Sequence, residues 1–341
     1  MMPALPDLWD KLDDKHVCCR VCERRCVIAD GERGACLTRE NRDGGLFALT
    51  YAAVSSLHVA CIEQKPLYHF YPGSSWLSVG SLGCNFRCPG CQNSQIAHAS
   101  ADDAPRLTRH IEPADLVEKA VAEGCKGLSW TYNEPTLWLE YTIDTSRLAR
   151  KRGLLANYVT NGYITPEALA EVAPLLDAWC VDIKAFDHYT HERLTGVPHF
   201  EKVLASAKLA KHTHRLHVEC VTNIIPGYTD DIKQMGAIAD GIVNTLGPDT
   251  PWHVTRFVPH HDMVDVPATP VATLERARTI GREHGLWYVY VGNVAGHPYA
   301  NTICHACGAV LVERDGNRVV QNRVWQGICP FCSAEIPGQW D

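Results

Sequence analysis

The chain has 341 residues, enough to bury a large core without covalent staples, and carries 16 cysteines at a net charge of −7. The acidic balance argues against a broad phosphate-binding surface, and no apolar run reaches the length of a bilayer-spanning helix, so neither nucleic acid nor membrane is an expected partner. No basic stretch followed by an apolar one opens the sequence, and the expectation is a cytoplasmic protein whose thiols stay reduced for metals or catalysis.

Three zones follow in chain order. Residues 1–72 are loop-rich and Cys-rich. Cys19-Arg20-Val21-Cys22, Cys26 and Cys36 form a four-thiol set there, with Gly31 and Gly34 letting the intervening loop fold back. Cys18 is adjacent, but the Cys-x2-Cys step favours Cys19. A metal is expected, with zinc and an iron–sulfur cluster both open. Cys61, and later Cys125, Cys180 and Cys220, are isolated and expected to be small buried apolar residues.

Residues 73–299 alternate between strand-like and helix-like runs. The strand candidates are Trp76–Val79, Gly127–Tyr132, Leu155–Thr160, Ala178–Ile183, Leu216–Thr222, His253–Val258 and Trp287–Val291. Between them, Pro113–Val121 and the run opened by Thr165-Pro166 show helical spacing, with proline in the first turn. Strand, helix, strand, repeated, implies parallel strands joined by right-handed crossovers. Six or seven such units over about 220 residues suit a full or partial α/β barrel, with a doubly wound open sheet as the alternative. In a barrel, function sits just beyond each strand's C-terminal end, and polar motifs fall there: Cys84–Cys91, Tyr132–Thr136, Thr160-Asn161-Gly162, Asp182 with Lys184, and Asn223–Gly227.

Cys84-Asn85-Phe86-Arg87-Cys88-Pro89-Gly90-Cys91 places three thiols within eight residues. A loop can wrap them around one face of a metal cluster. Three ligands on a four-iron cube leave one iron open, whereas a structural or electron-carrying cluster takes four. A zinc site borrowing a fourth ligand is the alternative. Residues 300–341 hold two further Cys-x2-Cys knuckles, Cys304/Cys307 and Cys329/Cys332, separated by 21 residues, a spacing that fits a zinc ribbon.

Cys-x3-Cys-x2-Cys after the first strand resembles the signature of radical S-adenosylmethionine (SAM) enzymes. Lys65–Phe70, Pro72-Gly73-Ser74, Gly83-Cys84-Asn85, Cys91-Gln92-Asn93, Thr131–Thr136, Thr160–Tyr163, Val181–Ala185 and Tyr290–Asn293 extend the resemblance. The chain is similar to the radical SAM member of the AmmeMemoRadiSam system, a relative of pyruvate formate-lyase activating enzyme. The resemblance implies a partial (β/α)6-type radical SAM barrel over 73–299, with a Cys-rich N-terminal region over 1–72 and a C-terminal zinc-ribbon-like module over 300–341. It implies a [4Fe-4S] cluster held by Cys84, Cys88 and Cys91, whose open iron binds SAM. Reductive cleavage would then yield a 5′-deoxyadenosyl radical that abstracts hydrogen from a substrate. It also implies a reductant such as flavodoxin or ferredoxin, and Memo-like and AMMECR-like partner proteins.

By the same resemblance, Glu134 meets the SAM amino group, Thr160 and Asn161 meet its ribose or carboxylate, and Asp182 and Lys184 lie near SAM. His253 is the SAM- or substrate-proximal residue of its strand. Each has a simpler reading: a helix-capping acid, an ordinary Asn-Gly turn, a salt bridge, and a histidine satisfied in the core. The family often carries an aromatic residue before the third thiol, where Gly90 stands here. It also implies that either terminal thiol set could hold an auxiliary iron–sulfur cluster in place of zinc. A glycyl-radical enzyme activase and a non-catalytic zinc-ribbon binding protein are the competing functions.

Overall fold

A computed structural model describes residues 2–340. They fall into two compact units, one of residues 2–60, Ser75–Arg87 and Cys91–Trp179, the other of Cys61–Ser74, Cys88–Gly90 and residues 180–340.

In the first unit, β1 (Ser56–Cys61), β2 (Ser75–Gly80), β3 (Gly127–Trp130) and β4 (Leu155–Thr160) lie side by side in that order. β2, β3 and β4 are parallel, pairing Trp130 with Val79 on one side and with Tyr158 on the other. β1 runs against β2: its backbone partners descend from Gly80 to Ser74 as the strand advances from Ser55 to Ile62. Trp76 through Gly80 are all buried, and so is the whole of β3, as expected of parallel strands covered on both faces. Helices supply the cover. α1 (Pro113–Ala122) opens on proline and buries Leu116, Val117 and Ala120. α2 (Leu139–Lys151) follows β3. α3 (Pro166–Val172) is capped by Thr165, whose Oγ1 accepts the Ala168 N–H at 3.1 Å. The N-terminal residues are more ordered than their composition suggests. They form two small antiparallel sheets, Trp9–Lys11 with Val17–Cys19 and Val27–Ile28, and Met2–Pro3 with Gly45–Ala48 and Arg39–Arg42.

In the second unit, β5 (Ala178–Asp182), β6 (His217–Ile224), β7 (Trp252–Arg256) and β8 (Val289–Gly292) neighbour one another in sequence order. β6, β7 and β8 are parallel. Helices α4 (His188–Thr195), α5 (Glu201–Lys208), α6 (Ile232–Leu246) and α7 (Val271–Glu283) alternate with them. The C-terminal residues form a three-stranded antiparallel sheet, Thr302–Ile303, Val310–Asp315 and Arg318–Asn322. Leu311, Val312, Val324, Ile336 and Trp340 pack there with Tyr68, Tyr288 and Tyr290. A fully buried ion pair, Arg314 with Glu63 at 3.4 Å, lies beside this core, and the Arg314 guanidinium also donates to the carbonyls of Tyr68 and Ala300.

The fold is therefore α/β, a partial barrel of the (β/α)6 type. Strand edges differ from expectation by at most two residues. β3 stops at Trp130 because Tyr132 enters a left-handed conformation (φ +73°), and β7 begins one residue early, at Trp252. Cys125, Cys180 and Cys220 are buried as expected. Cys61 is only half-buried, and its thiol donates to the Asn317 carbonyl. Among the described residues, no helix is long and apolar enough to cross a membrane.

Candidate active site

The thiol loop starts at Cys84, four residues beyond β2, and Gly83 sets its course. Its φ is +82°, and a Cβ there would stand 2.5 Å from Thr38 Cγ2 and 2.8 Å from the Cys36 carbonyl oxygen, so only glycine fits. Arg87 staples the loop from within. Its guanidinium donates to the carbonyls of Cys84 (2.6 Å), Phe86 (3.0 Å) and Ala35 (2.8 Å). Asn133, just past β3, braces the other side, donating to the Gly83 carbonyl at 2.9 Å and accepting the Ser81 N–H at 3.0 Å. Phe86 is buried against Tyr163, with ring centres 5.4 Å apart.

Cys84 Sγ receives the Phe86 N–H at 3.4 Å and the Asn161 amide at 3.7 Å. Donors aimed at sulfur favour the thiolate, the form that ligates iron. Asn161 also donates to Asn85 Oδ1 at 2.7 Å, while its own Oδ1 accepts the Tyr163 N–H at 3.0 Å. Glu134 completes the cluster. One carboxylate oxygen accepts the Thr136 N–H (3.0 Å) and the Thr160 hydroxyl (2.7 Å), and the other accepts the Asn161 N–H (2.8 Å). Burial pushes the Glu134 carboxyl up, and these same donors pull it back toward the ionised form. The structure thus brings Glu134, Thr160 and Asn161 together and ties them to Cys84. Glu134 is also the N-cap of the helical turn Pro135–Trp138, so the capping reading is realised.

In the second unit, Gly90 explains the missing aromatic residue. A Cβ there would lie 2.9 Å from Met263 Sδ and 3.2 Å from the Phe257 ring, which already fill that space. Asp182 and Lys184 form a half-exposed salt bridge at 2.9 Å, at the C-terminal end of β5. His253 is placed differently. It is the second residue of β7, at the end of the strand opposite to where barrel function is expected. It is buried, bonded to Glu219 at 2.7 Å and flanked by the rings of Tyr68 and Tyr290. Its surroundings are those of a histidine satisfied in the core.

The C-terminal thiols Cys304, Cys307, Cys329 and Cys332 lie mutually within 4.8 Å, with Cys304–Cys332 at 3.7 Å and Cys307–Cys329 at 3.8 Å. A tetrahedral site with metal–sulfur bonds of about 2.3 Å has S–S edges of about 3.8 Å. Cys19, Cys22, Cys26 and Cys36 line one cavity together with Arg39.

The sequence model of the radical SAM superfamily matches residues 78–240. The uncharacterized protein MJ0808 of Methanocaldococcus jannaschii is 41% identical over 330 residues, spanning 96% of this chain and 97% of that one. The chain belongs to the radical SAM superfamily. Another relative is the isethionate sulfite-lyase activating enzyme of Desulfovibrio desulfuricans, 31% identical over 113 residues, which are 33% of this chain and 36% of that enzyme. Among solved structures, a radical SAM methyltransferase from Sphaerobacter thermophilus aligns with a TM-score of 0.49 at 16% identity, covering 66% of this chain and 68% of that one. The radical SAM family implies a [4Fe-4S] cluster and SAM. The loop suits such a cluster: two N–H donors already point at Cys84 Sγ. Arg87, Asn133 and Asn85 were not singled out from the sequence. Their partners are mostly loop carbonyls and neighbouring amides, which no spacing pattern announces.

Proposed function

We propose that Cys84, Cys88 and Cys91 ligate three irons of a [4Fe-4S] cluster and that SAM binds the fourth. The observation that carries this reading is Asn161, whose side-chain amide donates to Cys84 Sγ while its backbone N–H donates to Glu134, which also accepts the Thr160 hydroxyl. When bound, the cluster and SAM supply reductive cleavage to methionine and a 5′-deoxyadenosyl radical, which takes a hydrogen atom from the substrate. The chain's own residues position and exclude. Arg87 and Asn133 fix the loop backbone, Asn161 orients the Cys84 thiolate, and Phe86 with Tyr163 keeps water from its flank. Glu134 holds the Thr160–Asn161 turn in place, and its remaining acceptor capacity suits a SAM amino group. On the family resemblance, Asp182 and Lys184, paired at 2.9 Å at the end of β5, are proposed as further SAM contacts. His253 is left out of this set because Glu219 already engages it.

The test is anaerobic reconstitution with iron and sulfide, followed by SAM and dithionite. Accumulation of 5′-deoxyadenosine is expected, and none from a fully loaded chain contradicts the reading. The likeness to an activating enzyme favours a second reading, abstraction from a backbone glycine of a large partner. A protein-radical signal on an added glycyl-radical enzyme would support it. The Memo-like and AMMECR-like partnership belongs to the first reading, with flavodoxin or ferredoxin as electron donor, and co-purification from the native host tests it. For the C-terminal thiols we propose zinc, on the 3.7–3.8 Å sulfur spacing.

A further inference from the structure

The N-terminal thiols are unlike the C-terminal ones, and the difference is geometric. Among the described residues, the sets of three or more ligand atoms mutually within 4.8 Å are the C-terminal thiols and the exposed group His188, His199 and Glu201. Cys19, Cys22, Cys26 and Cys36 line one cavity, yet no three of their sulfurs lie mutually within 4.8 Å, whereas a single tetrahedral zinc requires all four within about 3.8 Å of one another. Wide spacing around a shared cavity suits four thiolates that each hold a different corner of a polynuclear cluster.

A second observation points into the same cavity. Arg39 lines it, is 1% exposed, and has its two terminal nitrogens fixed by Glu140 at 2.8 Å each. Its Nε, buried like the rest of the side chain, has no hydrogen-bond partner. A buried donor left open is destabilising unless something at the site accepts from it. A sulfide or thiolate sulfur is such an acceptor, and the guanidinium charge offsets the negative charge that four thiolates bring. The Arg39–Glu140 pair also ties the N-terminal residues to α2. The thiols' own segment abuts the active-site loop: Cys36 and Thr38 are the contacts that exclude a side chain at Gly83, and the Arg24 guanidinium donates to the Asn85 carbonyl.

From these observations we infer that Cys19, Cys22, Cys26 and Cys36 ligate a second iron–sulfur cluster, with the Arg39 Nε–H as a donor to it. This site is separate from the SAM site, and its test does not depend on SAM cleavage. The full-length Cys84→Ala/Cys88→Ala/Cys91→Ala variant, reconstituted anaerobically, is assayed for iron, acid-labile sulfide and zinc. About four iron and four sulfide per chain are expected to remain, beside about one zinc. Adding Cys19→Ser and Cys22→Ser should remove the iron and leave the zinc. Two zinc and no iron in the triple variant, or no iron at all, would overturn the inference. If the quintuple variant loses zinc as well, the wild-type count decides. About eight iron per chain supports two clusters, and about four contradicts them.

Discussion

Asn161 shows how closely residues in the site depend on one another. Its side-chain amide nitrogen is shared between Cys84 Sγ and Asn85, its backbone N–H feeds Glu134, and its side-chain Oδ1 accepts the Tyr163 N–H to close the turn. Asn161→Ala should remove the Cys84 contact without touching a cluster ligand, and a loss of roughly tenfold in 5′-deoxyadenosine formation is expected, with iron content near wild type. Wild-type turnover by that variant would mean the amide has no part in positioning. Gly83→Ala is expected to be harsher. It combines a positive φ with a 2.5 Å clash, should destabilise by about 1–3 kcal/mol, and should lower iron loading as read by iron analysis and thermal melting. At this scale the two C-terminal knuckles were legible from their spacing, and the structure gathers their four thiols. Glu134, Thr160 and Asn161, expected through resemblance, are hydrogen-bonded to one another. Arg87 and Asn133 were not legible, since an arginine or asparagine that binds backbone carbonyls looks like any other.

Elements were read from the sequence more easily than their ends. The parallel strands declare themselves because both faces are covered and their side chains are apolar almost throughout. Proline at the first turn declared α1 and α3. His253 shows the gap that remains. Alternation says which face a residue is on, but depth along the strand depends on where the strand begins. β7 begins at Trp252, so His253 falls at the wrong end. The C-terminal sheet yields its own prediction. Arg314 and Glu63 are both fully buried, so Arg314→Met would leave a carboxylate without its charge partner and should cost about 3–5 kcal/mol in denaturant titration. A double Arg314→Met/Glu63→Gln variant should recover part of that loss. If the double variant is no more stable than the single one, the pair is not what holds this core.

Across the whole molecule, residues 2–60 group with the first strands and residues 300–340 with the later ones. Thiol spacing reveals ligands, but says nothing of what the intervening residues pack against. His69 illustrates such packing and has a measurable consequence. Its Nδ1 lies 2.6 Å from the Pro337 carbonyl and its Nε2 2.6 Å from the Tyr290 hydroxyl. Burial pushes this imidazole from its ordinary value near 6.5 down to about 4. Between those values the unfolded chain binds the proton and the folded chain does not. Stability should therefore fall as pH falls through that window, by roughly 1.4 kcal/mol per pH unit, and be insensitive to this group above about pH 7. Denaturant titrations from pH 7 to pH 4 on wild type and His69→Gln test this. The variant should have a shallower acid slope, and an identical slope would assign the acid sensitivity elsewhere.

The central claim is that one iron of the Cys84–Cys91 cluster is open and takes SAM. Electron paramagnetic resonance of the anaerobically reduced Cys19→Ser/Cys22→Ser variant, recorded before and after SAM is added, isolates that cluster. The account predicts a reduced-cluster signal whose g-values shift on SAM addition, and that is absent when Cys88→Ala is introduced as well. A signal unchanged by saturating SAM, or one that survives Cys88→Ala, would contradict it.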